Sequence, residues 1–182
     1  MARNVQLIIV CEDVLHEVFV RAFLRRRGIK PMFFVKPPKG RGDAKQHVCE
    51  ECSRQLEALR RFGGNRGLIF IIDADNLSVE DRKRQLDDAC KARGIEPPKE
   101  TEAVFGFIPK WEVENWLAFL RDGAADEQSN KYGKYAGHES DIYPLVERLA
   151  DMCEQRKLPN APSSLVEACS VYEKFVQWKK AT

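Results

Sequence analysis

No apolar run in this chain approaches the ~20 residues that span a bilayer, and no charged-then-apolar leader ends in a small-residue cleavage site. A membrane partner is therefore not expected, and a cytoplasmic setting is. Internal repeats, low-complexity tracts and a Gly-x-x-x-x-Gly-Lys phosphate loop are all missing, which argues against a repeat array and gives no support to P-loop nucleotide hydrolysis. Histidine is scarce, with three residues. His16, His47 and His138 stand at no fixed spacing to convincing partners and read as ordinary surface or core residues. Cys49-x-x-Cys52 beside His47 lacks the second Cys/His pair that would complete four zinc ligands, so helix packing is the expected role of these thiols. All six cysteines are scattered through strand and helix patterns, which fits reduced thiols. A large charge of one sign is also lacking: the formal net charge of +2 does not by itself announce a polyanionic partner.

What is present is an ordinary globular composition, 43% apolar and 32% charged over 182 residues, enough for one domain that buries roughly 70% of its unfolded surface. Val5 to Cys11 reads as a strand, and Val14 to Arg27 as a helix with Val14, Val18, Phe19, Ala22 and Phe23 on one face, ended by Gly28. Lys30 to Val35 follows as a strand, then a glycine- and proline-rich basic loop, then a helical period over Ala44 to Phe62. Leu68 to Ile72 is the third strand, Ser78 caps a helix running to Ala92, and Val104 to Ile108 is the fourth strand. Strand–helix alternation predicts an α/β fold: a Rossmann-like open sheet of about four parallel strands flanked by helices. Beyond Pro109 the pattern turns helical, over Glu112 to Arg121, Ile142 to Arg156 and Leu165 to Lys179. The expected organisation is an α/β domain over 1–121 with a helical C-terminal extension over 122–182 packed on it.

Two of the strands end in acid. Leu7-Ile8-Ile9-Val10-Cys11 leads to Glu12-Asp13, and Leu68-Ile69-Phe70-Ile71-Ile72 leads to Asp73-Ala74-Asp75. Ligands of open parallel sheets bind beyond the carboxyl ends of the strands, so neighbouring first and third strands would bring Glu12, Asp73 and Asp75 into one crevice. Carboxylates that converge repel unless a cation lies between them, and an all-oxygen donor set suits Mg2+ or Mn2+. This expectation requires the two strand tips to be adjacent, with no lysine or arginine filling the space between them. Glu114 and Lys110 follow the fourth strand at the same sheet edge, where they are candidates for an extra ligand and a phosphate contact; glutamate in the first turn of a helix is equally explained by the helix dipole.

Basic residues suggest where a nucleic-acid backbone would lie. Lys36, Lys39 and Arg41 occupy a loop that follows a strand and so hangs over the carboxylate edge. Lys131, Tyr132 and Lys134, with Tyr135, combine charge and stacking surface for a single strand. Arg25-Arg26-Arg27 and Arg60-Arg61 read as solvated helix ends, Trp116 as a packing residue, and Trp111 as either packing or base stacking.

Glu12 after the first strand and Asp73-x-Asp75 after the third resemble the TOPRIM pattern of topoisomerases, bacterial primases and overcoming-lysogenization-defect nucleases, over roughly residues 5–108. Small bacterial phage-defence TOPRIM-like proteins, often paired with an ATPase, are more similar still. The likeness lies in the segments Ile108-Pro109 to Glu114-Asn115-Trp116, Asp126-Glu127 to Lys131-Tyr132, and Pro162-Ser163-Ser164-Leu165 to Ala168-Cys169. Asp13 stands where many TOPRIM domains have glycine after the glutamate, a departure that weakens transfer of topoisomerase or primase geometry. The resemblance implies a Mg2+- or Mn2+-dependent endonuclease acting on DNA or RNA in antiviral defence, with Glu12, Asp73 and Asp75 holding the metal. Two alternatives stand beside it: a catalytically silent regulatory or binding subunit of an ATPase-containing complex, and a small-molecule phosphohydrolase. Nucleic acid, an ATPase subunit and a second copy of the chain are the expected partners.

Overall fold

The computed structural model describes residues 5–29, 33–37 and 43–182. Strands β1 (Gln6–Cys11), β2 (Phe33–Val35), β3 (Arg66–Ile71) and β4 (Val104–Phe107) alternate with helices α1 (Val14–Arg25), α2 (Ala44–Phe62) and α3 (Val79–Ala92). Helix α4 (Val113–Asp122), a 3-10 turn over Glu139–Ile142, α5 (Tyr143–Gln155) and α6 (Ser163–Ala181) complete the chain. The four strands form one parallel sheet in the order β2-β1-β3-β4. The chain is thus α/β with an open parallel sheet flanked by helices, and it ends in helices.

Alternation along β1 and β3 sends side chains into two separate cores. Leu7, Ile9, Cys11, Ile69 and Ile71 enter one, which also holds Phe19 and Phe23 of α1, Trp116 of α4, Leu149 of α5, and Leu165, Tyr172 and Phe175 of α6. Val10, Leu68, Phe70 and Ile72 enter the other, with Val48, Cys52 and Leu56 of α2 and Leu86 and Cys90 of α3. Burial on both faces explains why these strands read as continuous apolar runs rather than as an alternating pattern. The C-terminal helices supply much of the first layer: the Tyr172 ring stacks on Phe23 at a centroid distance of 4.2 Å. Trp116 is fully buried as expected, whereas Val14 opens α1 at 46% exposure, outside the apolar face expected for it.

Arg25, Arg26 and Arg61 are exposed at helix ends as expected, and most of the arginine runs also carry ion pairs. Arg25, Arg26 and Arg27 pair with Glu147, Asp151 and Glu154, acids on successive turns of α5, so the run fastens α1 to α5. Arg60 forks onto Glu102 at 2.7 and 2.8 Å and donates to the Glu96 and Pro97 carbonyls, which ties α2 to the connection before β4. The expectation of six reduced thiols is also corrected. Cys153 of α5 and Cys169 of α6 are joined as a disulfide with their Cα atoms 5.0 Å apart, within the usual bonding range. Cys11, Cys49, Cys52 and Cys90 are free and buried, and burial raises the Cys49 thiol to about 11. Among the described residues no helix is long and apolar enough to cross a membrane.

Gly106 of β4 leaves the space that the Phe70 ring occupies: a Cβ there would lie 2.2 Å from Phe70 Cζ. A methyl group would have to push an aromatic ring back into a packed layer, an overpacking cost of about 1–3 kcal/mol. Gly106→Ala should lower stability by that amount in urea unfolding with an unchanged slope, and an unaltered midpoint would show that the ring moves freely.

Candidate metal and phosphate site

The chain leaves β1 through α1 to reach β2 on one side, while β3 pairs with β1 on the other, so the strand order reverses between β1 and β3. Cys11 and Ile71, the last residues of these strands, are in register. Glu12 and Asp73 emerge just beyond, at the place where open parallel sheets bind ligands. They touch directly: Glu12 Oε1 accepts the Asp73 backbone N–H at 2.6 Å.

Asp73 is 3% exposed. Its Oδ1 accepts the Val113 N–H at 3.0 Å and lies 3.0 Å from His16 Nε2. Val113 opens α4, so the carboxylate sits on the positive end of that helix, where unsatisfied N–H groups favour an anion. His16 is 1% exposed, and its Nδ1 lies 2.9 Å from Asp13 Oδ1. With a carboxylate facing each nitrogen, the ring satisfies both only as an imidazolium that donates twice. Burial opposes charge on the ring, but Asp73 and Asp13 outweigh it and hold the His16 pKa well above its ordinary value. Burial, with Glu12 and Glu114 nearby, pushes Asp73 up to about 6 against the pull of His16. Asp13 goes the other way: burial would raise it, yet its bonds to His16 lower it to about 2. The Asp13 side chain also accepts the His16 backbone N–H as the N-cap of α1.

One ligand atom from each of Glu12, His16 and Asp73 lies within 4.8 Å of the others. Asp75, the expected third member, is held elsewhere. Its Oδ2 lies 2.8 Å from Lys45 Nζ and 3.6 Å from Arg82, and the same ammonium is 3.1 Å from Glu12 Oε2. The strand tips are adjacent, but a lysine fills the space between Glu12 and Asp75. The three-carboxylate arrangement expected from sequence is therefore corrected: side-chain cations, Lys45 and His16, already relieve the repulsion. The expectation that His16 is an ordinary core residue without partners is corrected with it. Lys45 was not singled out in the sequence because it belongs to the first turn of α2, and only the tertiary fold carries it over the β1 tip.

The other expected residues are brought to this edge and bonded within the protein. Lys110 Nζ donates to the Asp75 and Leu77 carbonyls and so holds the turn after β3. Glu114 is buried, with Oε1 accepting the Tyr135 N–H at 3.1 Å. Lys36 pairs with Glu17, Lys131 with Asp126, and Lys134 with Glu112; the Tyr132 hydroxyl accepts the Asp126 N–H at 2.9 Å. Lys39 and Arg41 lie outside the described residues. Trp111, left open between packing and stacking, donates its Nε1–H to the Glu127 carbonyl.

Two non-glycine residues carry left-handed backbone here, Asp75 at φ 53° and Trp111 at φ 68°, and the Asp75 N–H donates to the Trp111 carbonyl at 2.9 Å. Such residues persist only where their surroundings over-determine them, commonly at binding sites. The bracing comes from remote segments: Ser164 Oγ accepts the Trp116 Nε1–H at 2.8 Å and the Lys110 N–H at 3.1 Å, and donates to Glu127. Asn115 donates to the carbonyls of Asp126 and Ser129.

The Asp13–His16 pair has a defined pH signature. A depressed carboxylate contributes stability that is present above its ordinary pKa near 3.8 and lost as pH falls toward about 2. A raised histidine contributes below its ordinary value of 6.5, and that contribution is lost as pH rises through its elevated folded pKa. Asp13→Asn keeps a capping acceptor and removes the charge. Its stability deficit should be greatest between pH 4 and 6.5 and fade on either side, and the His16 midpoint in an NMR titration should fall. A pH-independent deficit with an unmoved His16 midpoint would contradict this charge pairing.

In comparisons with known proteins, no family model, no curated protein and no solved structure matches this chain.

Proposed function

We propose that this chain is a divalent-metal-dependent phosphodiester hydrolase acting on DNA or RNA, a TOPRIM-like nuclease of antiviral defence in the cytoplasm. The observation that carries the reading is the placement of Glu12 and Asp73 side by side past adjacent parallel strands, with His16 completing a set of ligand atoms within 4.8 Å. The donor set of two carboxylates and an imidazole fits Mn2+, and its carboxylates fit Mg2+. Glu12, Asp73 and His16 would hold the ion, and an ion there supplies charge neutralisation of a phosphate oxygen and activation of water. Binding would require His16 to lose a proton to solvent and give up a carboxylate, and Lys45 to release Glu12.

The residues of the chain do the positioning. The α4 N-terminus, through Val113, orients Asp73; Asp13 orients the ring of His16; and the Asp75–Trp111 bridge fixes the turn beyond β3. Lys45, released from Glu12, keeps its ammonium at the same sheet edge, where it can meet a phosphate oxygen.

Asp73→Asn and Glu12→Gln should each lower Mn2+-dependent cleavage of plasmid, single-stranded DNA or tRNA by at least about a hundredfold, with the circular-dichroism spectrum preserved. Unchanged rates would remove the catalytic reading.

Lys45 supports a second reading, a regulatory subunit of an ATPase-containing complex that is silent by itself, because its ammonium already bridges Glu12 and Asp75 as an internal counter-ion. Lys45→Ala separates the two. A hydrolase whose lysine competes with the ion should bind Mn2+ more tightly in calorimetry after the substitution; a silent subunit should bind none before or after it.

A further inference from the structure

Beside the carboxylate cluster, a cavity of about 870 Å3 runs between α2 and α3, a volume typical of sites for small organic ligands. It begins at Lys45 and Asp75 and is lined further in by Asn76, Leu77, Arg82 and Gln85. Arg82 is unusual among them: only 5% of it is exposed, and arginine is almost never buried to that degree without full pairing. Its Nη1 donates to Gln85 Oε1 at 2.6 Å and its Nη2 to the Ala74 carbonyl at 3.3 Å. Asp75 Oδ2 is 3.6 Å away, beyond hydrogen-bond reach. Its Nε–H has no acceptor among the described residues. The ion pair with Asp75 leaves a buried Nε donor of the guanidinium unmet, and the planar edge of guanidinium matches phosphate oxygens in pairs.

The other charged groups of this cavity are already engaged. Asp43 caps α2, and Glu50 and Asp88 pair with Arg54 and Lys91. Arg93 pairs with Glu57.

We propose that Arg82 receives a phosphate of a nucleic-acid strand, so that the α2–α3 cavity is the subsite for the nucleotide next to the bond presented to Glu12 and Asp73. This inference rests on the phosphodiester-hydrolase reading and names its substrate class. Lys45 stands at the junction: it lines the cavity and contacts Glu12. A strand held by Arg82 would therefore pass the ammonium before reaching the carboxylates. Recognition through phosphate and an open cavity wall predicts binding that is sensitive to salt and tolerant of sequence.

The test uses the full chain and a fluorescein-labelled single-stranded oligonucleotide, with anisotropy read in EDTA across a salt series. The parent should bind in EDTA and cleave only when Mn2+ is added. Arg82→Gln should weaken binding roughly ten- to hundredfold, the range for hydrogen bonds to a charged group, and reduce the slope of affinity against salt by about one. Arg82→Lys keeps the charge at the Ala74 carbonyl, guards against loss of fold, and should give an intermediate loss, with KM for cleavage raised more than kcat is lowered. Arginine variants that bind within twofold of the parent, while Asp73→Asn has lost cleavage, would overturn this inference and leave the hydrolase reading standing. A parent that binds a mononucleotide but no oligonucleotide would also overturn it. A parent that neither binds the oligonucleotide nor cleaves would overturn both.

Discussion

The buried Asp73 carboxylate is the constraint around which this end of the molecule is arranged. It is one residue beyond the last apolar position of the β3 run, nearly sealed from water, and an ionised group in such a place needs partners on every side. The partners come from separate elements: the His16 ring from α1, the Val113 N–H from α4, and, through its own backbone N–H, the Glu12 carboxylate past β1. One side chain thereby binds the first strand–helix unit, the third strand and the helix after the fourth into a common orientation. Removing any partner would leave charge in a low-dielectric setting, which is why the same contacts that hold the fold also set the geometry of the site.

The crevice solves a charge problem with its own cations. Among the described residues, Glu12, Asp13, Asp73 and Asp75 interleave with the His16 imidazolium and the Lys45 ammonium, with Arg82 flanking Asp75. Opposite charges at 3 Å in a partly buried site interact far more strongly than on the surface, so these side-chain cations offset the repulsion between the acids. Lys45 reaches both Glu12 and Asp75 from the first turn of α2.

Support for the site comes largely from the C-terminal third of the chain. Ser164, at the beginning of α6, gathers the Trp116 indole, the Lys110 backbone N–H and Glu127 at one hydroxyl, while Asn115 holds the loop that carries Asp126 and Ser129. The segments that drew notice in the sequence, around 108–116, 126–132 and 162–169, are therefore one connected brace behind the strained Asp75–Trp111 turn. The arginine run at the end of α1 and its acids on α5 fasten a different helix pair.

Hydrophobic period alone determined the α/β alternation, the buried parallel strands and their acidic ends, because five or more consecutive apolar residues cannot be satisfied by a strand with one wet face. The helix bounded by Ser78 and the burial of Trp116 were legible for the same local reasons. The counter-ions of the carboxylates were not. His16 stands at the N-cap-to-N3 spacing from Asp13, which was visible, but its link to Asp73 spans 57 positions, and Lys45 reaches Glu12 only because α2 begins over the β1 tip. The Cys153–Cys169 bond and the α1–α5 arginine ladder depend likewise on how helices pack. Local propensity and patterning act over a few residues and so can be read from the chain, whereas the pairing of buried charges is settled by which elements the packed core brings together.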